Sequence, residues 1–99
     1  MRFRLLPPAQ EEVDGIWLYI ASESGSVEVA NRQTERFTDC FWLLARNPRA
    51  GRGRDHDLRA DVRSFPVGEF VIIYRIEGFE VLILHVVHGS RDLKKLLIN

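Results

Sequence analysis

The rhythm of apolar residues changes three times along this chain. Residues 2–6, Arg2-Phe3-Arg4-Leu5-Leu6, alternate basic and apolar before Pro7-Pro8. That reads as a short edge strand, because proline cannot donate to a β-ladder. From Ala9 the period becomes helical, with Val13, Ile16, Trp17 and Ile20 on one stripe. Gln10, Glu11, Glu12 and Asp14 put polar and negative groups in its first turns, where the helix dipole favours negative charge. Ser22 to Ser26, with Gly25, stop it. A second helix is expected over about 27–47, with Ala30, Phe37, Phe41 and Leu44 on one face and a stop at Asn47-Pro48. Trp17 belongs to the core stripe. Trp42 lies roughly 140° around from Phe37 and either caps the helical hairpin or meets a partner.

After residue 61 the period drops to two. Val62 to Val67 read as a strand, Pro66-Val67-Gly68-Glu69 as a turn, and residues 70–75 and 81–88 as a hairpin closed at Glu77-Gly78. Phe70, Ile72 and Tyr74 share one face; Val71, Ile73 and Arg75 share the other. Val81, Ile83, His85 and Val87 alternate with Leu82, Leu84, Val86 and His88. Ser90 is placed to cap a short helix over 91–97. The sum is an α+β fold: a helical hairpin packed on a small, mainly antiparallel sheet, as one domain over residues 1–99.

Both faces of the last two strands are apolar, and two helices cover only one face of a sheet. The short terminal helix covers part of the other. Apolar surface, including Ile72 and Leu84, is therefore expected to stay open for a protein partner.

Composition narrows the partners. Fourteen basic and fourteen acidic residues cancel, which argues against a dedicated nucleic-acid binder. Cys40 is the single cysteine, so there is no internal disulfide; it suits a reducing cytoplasm and reads as an inert half-core thiol. The N-terminal stretch is too quickly broken by proline for a signal peptide, and no apolar run approaches a membrane span.

The polar stretch from Arg49 to Arg59 holds the densest basic cluster, Arg49, Arg52, Arg54 and Arg59, partly offset by Asp55 and Asp57. It is either a solvated loop or a contact to acidic or phosphate groups. It lacks the GxxxxGK[ST] pattern of a phosphate-binding loop. His56 between two aspartates makes no metal site, since three adjacent loop residues do not face one point. Arg63, Arg75 and His88 lie on the three successive strands and are the candidates for phosphate chemistry. A hydrogen bond to backbone, or to Asp92, is the plainer role for Arg75 and His88. His85 reads as a satisfied sheet histidine.

Three segments carry a family resemblance: Ile16-Trp17-Leu18-Tyr19-Ile20, Asn47-Pro48-Arg49-Ala50-Gly51, and Arg63 through Arg75 with its continuation His85 to Asp92. Together they resemble the RelE/ParE superfamily of type II toxins, and the last segment looks most like its ParE branch. The resemblance implies a β-α-α-β-β-β fold with a short C-terminal helix, and a toxin that inhibits DNA gyrase without a cofactor or metal. It implies neutralisation by a ParD-like antitoxin, which alone touches operator DNA. The antitoxin is expected at Trp42, Arg52, Arg54, Arg63, Ile72, Tyr74 and Leu84, and the target at Arg75, His88 and Arg91. The RelE-like alternative is a ribosome-dependent mRNA endoribonuclease using Arg63, Arg75 and His88. Against it, the sheet carries no lysine and the terminal segment no tyrosine.

Overall fold

The computed structural model describes residues 1–97. In chain order it has β1 (Arg2–Leu5), α1 (Pro7–Ser24), α2 (Val27–Arg46), β2 (Arg52–Gly53), β3 (Val62–Val67), β4 (Phe70–Glu77), β5 (Glu80–His88) and α3 (Leu93–Leu96). The five strands lie in the order β1-β5-β4-β3-β2. β1 runs parallel to β5, and every other pair is antiparallel. This is the expected α+β architecture. The polar loop contributes one unexpected element, the two-residue strand β2 on the far edge.

α1 starts two residues earlier than its apolar stripe. Pro7 and Pro8 occupy its first turn, where the missing N–H groups have no helical partner to lose. Gly25 ends it in the left-handed conformation, φ 66°. Ser26 caps α2 by accepting from the Val29 N–H at 3.2 Å. At the other end of the chain Asp92, not Ser90, caps α3, accepting from the N–H groups of Lys94 and Lys95.

The helices bury Phe37, Phe41 and Leu44 against Ile72, Tyr74, Val81, Ile83 and Val86. Ile72 and Tyr74 are therefore interior, each 0% exposed, and are not open to an antitoxin. Ile72 sits on the face the helices cover. The other face is closed as well. Val62, Ile73, Leu82 and Leu84 are buried there beneath Leu58, Leu93 and Leu97. Leu84 is only 6% exposed, so the expected open sheet face does not exist in the folded chain. Face counting missed the cover because neither reading of residues 49–59, solvated loop or contact to acidic or phosphate groups, folds Leu58 back onto the sheet.

Strict alternation also fails in β5. Ile73 lies opposite His85 but Tyr74 lies opposite Ile83, leaving Leu84 as an extra residue. Such a bulge shifts the side-chain phase by one. Val86 consequently joins Val81 and Ile83 on the helix side, opposite to the expected placement.

Two devices hold the long loop down. The Tyr74 hydroxyl donates to the Pro48 carbonyl at 2.7 Å and accepts from the Gly51 N–H at 2.8 Å. Gly51 is required there, since a Cβ would stand 2.6 Å from Tyr74 Cε1 and 2.9 Å from the Ser64 carbonyl oxygen. Arg54 then grips Asp57 through Nε and Nη2, at 2.6 to 3.0 Å, and donates through Nη1 to Ser64 Oγ at 3.0 Å. This folds Leu58 onto the sheet. Arg54 is thus a loop clamp rather than a free contact for a partner.

Two outcomes test these devices. Tyr74→Phe strands the Gly51 N–H and the Pro48 carbonyl and should cost about 1–3 kcal/mol in urea unfolding. The Arg54 guanidinium holds the Asp57 carboxyl down at about 2, against an ordinary 3.8. Its folded value lies below its unfolded one, so the pair's support is complete above the unfolded value and is lost as pH falls through about 2. The Arg54 Nε–H signal in NMR should therefore lose solvent protection between about pH 4 and 2. In Asp57→Asn that acid-dependent loss should be absent.

Candidate functional site

With both sheet faces closed, one opening lies where β5 outruns its neighbour. β1 pairs with β5 only from Arg2 opposite Glu80 to Leu5 opposite Ile83. Its last ladder bond is Leu6 N–H to the Ile83 carbonyl, at 3.0 Å. The prolines then turn the chain into α1 and leave the edge of residues 85–88 without a strand. A helical side chain takes the strand's place. One oxygen of Glu12 accepts from the Val86 N–H at 3.0 Å, and the carboxylate accepts from His85 Nδ1–H at 3.0 and 3.1 Å. This fixes the His85 proton on Nδ1 and confirms His85 as a satisfied sheet histidine.

Beside this contact is a groove of about 590 Å³ between α1, one residue of α2 and the far ends of β4 and β5. Ile16, Ile20 and Phe70 supply apolar wall, with Tyr19, 66% exposed, at the rim. Gly15 deepens the groove, because no atom lies within 4 Å of where its Cβ would be. A mid-helix glycine costs about 1 kcal/mol relative to alanine, so this depth is held against helix propensity. Gln33 lines the groove, and its shielded Nε2 donates to no group among the described residues. A shielded donor without a partner is uncommon in a folded chain.

The mouth is charged. His88 stands edge-on to Phe70, with ring centroids 5.9 Å apart. The Ser90 N–H donates to His88 Nδ1 at 3.1 Å, which leaves the proton of the neutral ring on Nε2. Nε2 faces the exposed Glu69 carboxylate at 4.0 Å. Arg91 completes this side. Apolar walls, one waiting donor and a charged mouth suit a protein segment carrying apolar side chains.

The residues expected to act together do not meet. His88 pairs with Phe70, five residues along β4 from Arg75, or roughly 17 Å. The Arg75 Nη2 donates to Glu77 at 2.7 Å, and Arg63 donates to the carbonyl of Gly51 at 2.7 Å. Arg63, Arg75 and His88 therefore form no acid–base cluster around a phosphate. Of the expected target contacts, His88 and Arg91 share the groove mouth, while Arg75 sits at the far end in its own ion pair. Of the expected antitoxin contacts, Trp42 and Arg52 are exposed but lie outside the groove. Arg63 is spent on the backbone. Sequence reading missed Glu12, Gly15, Gln33 and Phe70 as site residues. Glu12 was visible only as a helix-start charge; the available signal for Gly15 is that a mid-helix glycine runs against helix propensity.

Removing the Glu12 carboxylate should loosen this edge first. Glu12→Ala is expected to destabilise by about 1–3 kcal/mol and to raise hydrogen exchange at the Val86 amide. Glu12→Gln keeps an acceptor for that amide and should lose less. Equal protection of Val86 in Glu12→Ala and the parent would contradict the role given to Glu12.

Known proteins agree with this architecture. Residues 3–93 match the family model described as the ParE toxin of the type II toxin–antitoxin system, parDE. Toxin ParE3 of Caulobacter vibrioides is 34% identical over 86 residues, covering 87% of this chain and 84% of that protein. A chain of the structure titled as the chromosomal ParDE TA system from P. aeruginosa superposes with a TM-score of 0.76. It is 21% identical, and the match covers 89% of this chain and 95% of that one, so it speaks for the shared fold. On the extent of the family match and the identity to a curated relative, this chain belongs to the ParE toxin family of type II toxin–antitoxin systems.

Proposed function

We propose that this chain, acting as one domain over residues 1–99 in the cytoplasm, inhibits DNA gyrase without catalysis of its own and is neutralised by a ParD-type antitoxin. The observation that carries this reading is family membership joined to a geometry that fails nuclease chemistry: Arg63, Arg75 and His88 are separated and two of them are internally bonded. A protein-directed inhibitor needs a docking surface and no converging acid and base. The α1–β5 groove supplies one. The antitoxin's segment lies in it, filling the space over Gly15 with an apolar side chain and giving Gln33 Nε2 a carbonyl. His88 and Arg91, at the mouth, contact the target. An antitoxin in the groove covers both, so neutralisation is by occlusion. Operator DNA is reached only through the antitoxin, and no cofactor takes part.

Purified protein should block gyrase supercoiling or accumulate cleaved plasmid, and added ParD-type antitoxin should reverse this. No effect on gyrase, with cleavage of mRNA on ribosomes, would establish the RelE-like reading instead. For the groove, Gly15→Phe should weaken antitoxin binding by about 10- to 100-fold, the worth of one excluded apolar side chain. It should leave the thermal midpoint equal or higher, because the added Cβ meets open space and phenylalanine is the better helix former. Unchanged antitoxin affinity in a folded Gly15→Phe would place the antitoxin elsewhere.

A further inference from the structure

The opposite end of β5 carries a second surface that the groove does not use. Phe79, in the two-residue turn between β4 and β5, is 88% exposed. Nothing in the turn demands an aromatic there. Gly78 supplies the positive φ, and polar residues ordinarily fill such positions. Beside Phe79 lies a shallow pocket of about 580 Å³, formed with Met1, Arg2, Ala45, Arg46 and Pro48. Met1 is 52% exposed. Trp42, 51% exposed, stands one helical turn before Ala45 and Arg46, propped edge-on by Phe3 at 4.8 Å.

The charge of this end has one sign left over. Glu80 is taken by Arg4 at 3.5 Å and Glu77 by Arg75 at 2.7 Å. Among the described residues, no carboxylate pairs with Arg2 or Arg46. Aromatic residues, methionine and arginine are the types concentrated in protein interfaces. An exposed aromatic with two uncompensated guanidinium groups fits an acidic stretch bearing a large apolar side chain, which Phe79 and the pocket would receive.

We infer that the β4–β5 tip and the C-terminal turn of α2 form a second docking surface, whose occupant is an acidic, apolar-anchored segment of a protein partner. Along β5 it lies roughly 26 Å from the groove mouth, so both surfaces can be filled at once. The inference does not rest on gyrase as the target or on the antitoxin's seat in the groove.

The test uses a short fluorescein-labelled peptide of alternating glutamate and leucine with a central phenylalanine, and a counterpart with lysine for glutamate. Fluorescence anisotropy should give saturable binding of the acidic peptide that weakens with added salt, and none of the lysine one. Phe79→Ser and Arg46→Glu should each weaken it about tenfold, while Gly15→Phe leaves it unchanged. Both altered residues are exposed, so Phe79→Ser keeps the parent's thermal midpoint and Arg46→Glu, which sets a negative charge at the C-terminal end of α2, lowers it only slightly. Absent binding, equal binding of the lysine peptide, or indifference to both variants would overturn the inference. So would a concentration-dependent dimer in sedimentation that Phe79→Ser abolishes, since the occupant would then be a second copy of this chain.

Discussion

The fold turns on the point where β1 leaves β5. Two prolines end the edge strand at Leu5, and a β-strand without a neighbour exposes backbone groups that must be satisfied. Glu12 satisfies one of them from the first turns of α1 and holds His85 at the same time. Replacing a strand by a helical side chain keeps the edge from pairing further, yet leaves space that a strand would have filled. That space is the groove. Its walls are α1 residues next to Glu12, and its floor is the end of the β4–β5 hairpin. The bulge at Leu84 lies at the same level and sets which side chains of β5 face the helices.

A second constraint directs where partners can bind. Ten or so loop residues without regular structure would ordinarily be mobile cover at best. Here Tyr74, Gly51 and the Arg54–Asp57 pair fix the loop, so Leu58 joins Leu93 and Leu97 over the second sheet face. The pair is partly exposed, so its role is to orient the loop more than to stabilise it. Burial of Tyr74 also raises its hydroxyl above the ordinary tyrosine value, keeping it neutral as donor and acceptor together. A closed sheet leaves apolar surface open at both ends of β5. An antitoxin bound at one end and a partner at the other would not compete for space.

Much of this was legible in the chain. The period change from Val13-Ile16-Trp17-Ile20 to Phe70-Ile72-Tyr74 sets two helices against an antiparallel meander, and Asn47-Pro48 marks the end of α2 to within a residue. The Arg2–Leu6 alternation marks an edge strand, but its parallel pairing with β5 depends on the whole topology. The errors share one cause, which is that face assignment by period is local. Ile72 was placed on an open face because period alone does not say which face the helices cover, and Leu84 because nothing in Arg49 to Arg59 signals that the loop folds back. Its polar residues bond one another and carry Leu58 inward. The contact of Glu12 with β5 leaves no sequence signal, since its partner lies 73 positions away, and the phase slip at Leu84 shows only in the pairing of β5 with β4. Arg63 was legible as a cation but not as one committed to the Gly51 carbonyl, and the internal bond expected of Arg75 goes to Glu77 rather than to backbone or Asp92.

The claim that the groove between α1 and β5 is the antitoxin's seat is tested most directly by amide chemical-shift mapping. Isotope-labelled protein would be titrated with the unlabelled C-terminal segment of a ParD-type antitoxin. The account predicts that the largest shifts fall on Gly15, Ile16, Tyr19, Phe70 and Val86, and that Gln33 Nε2–H moves as it gains an acceptor. Shifts concentrated on Leu58, Leu84 and Leu93 would contradict it, because they would mean that the antitoxin lifts the loop and α3 and binds the sheet face beneath them.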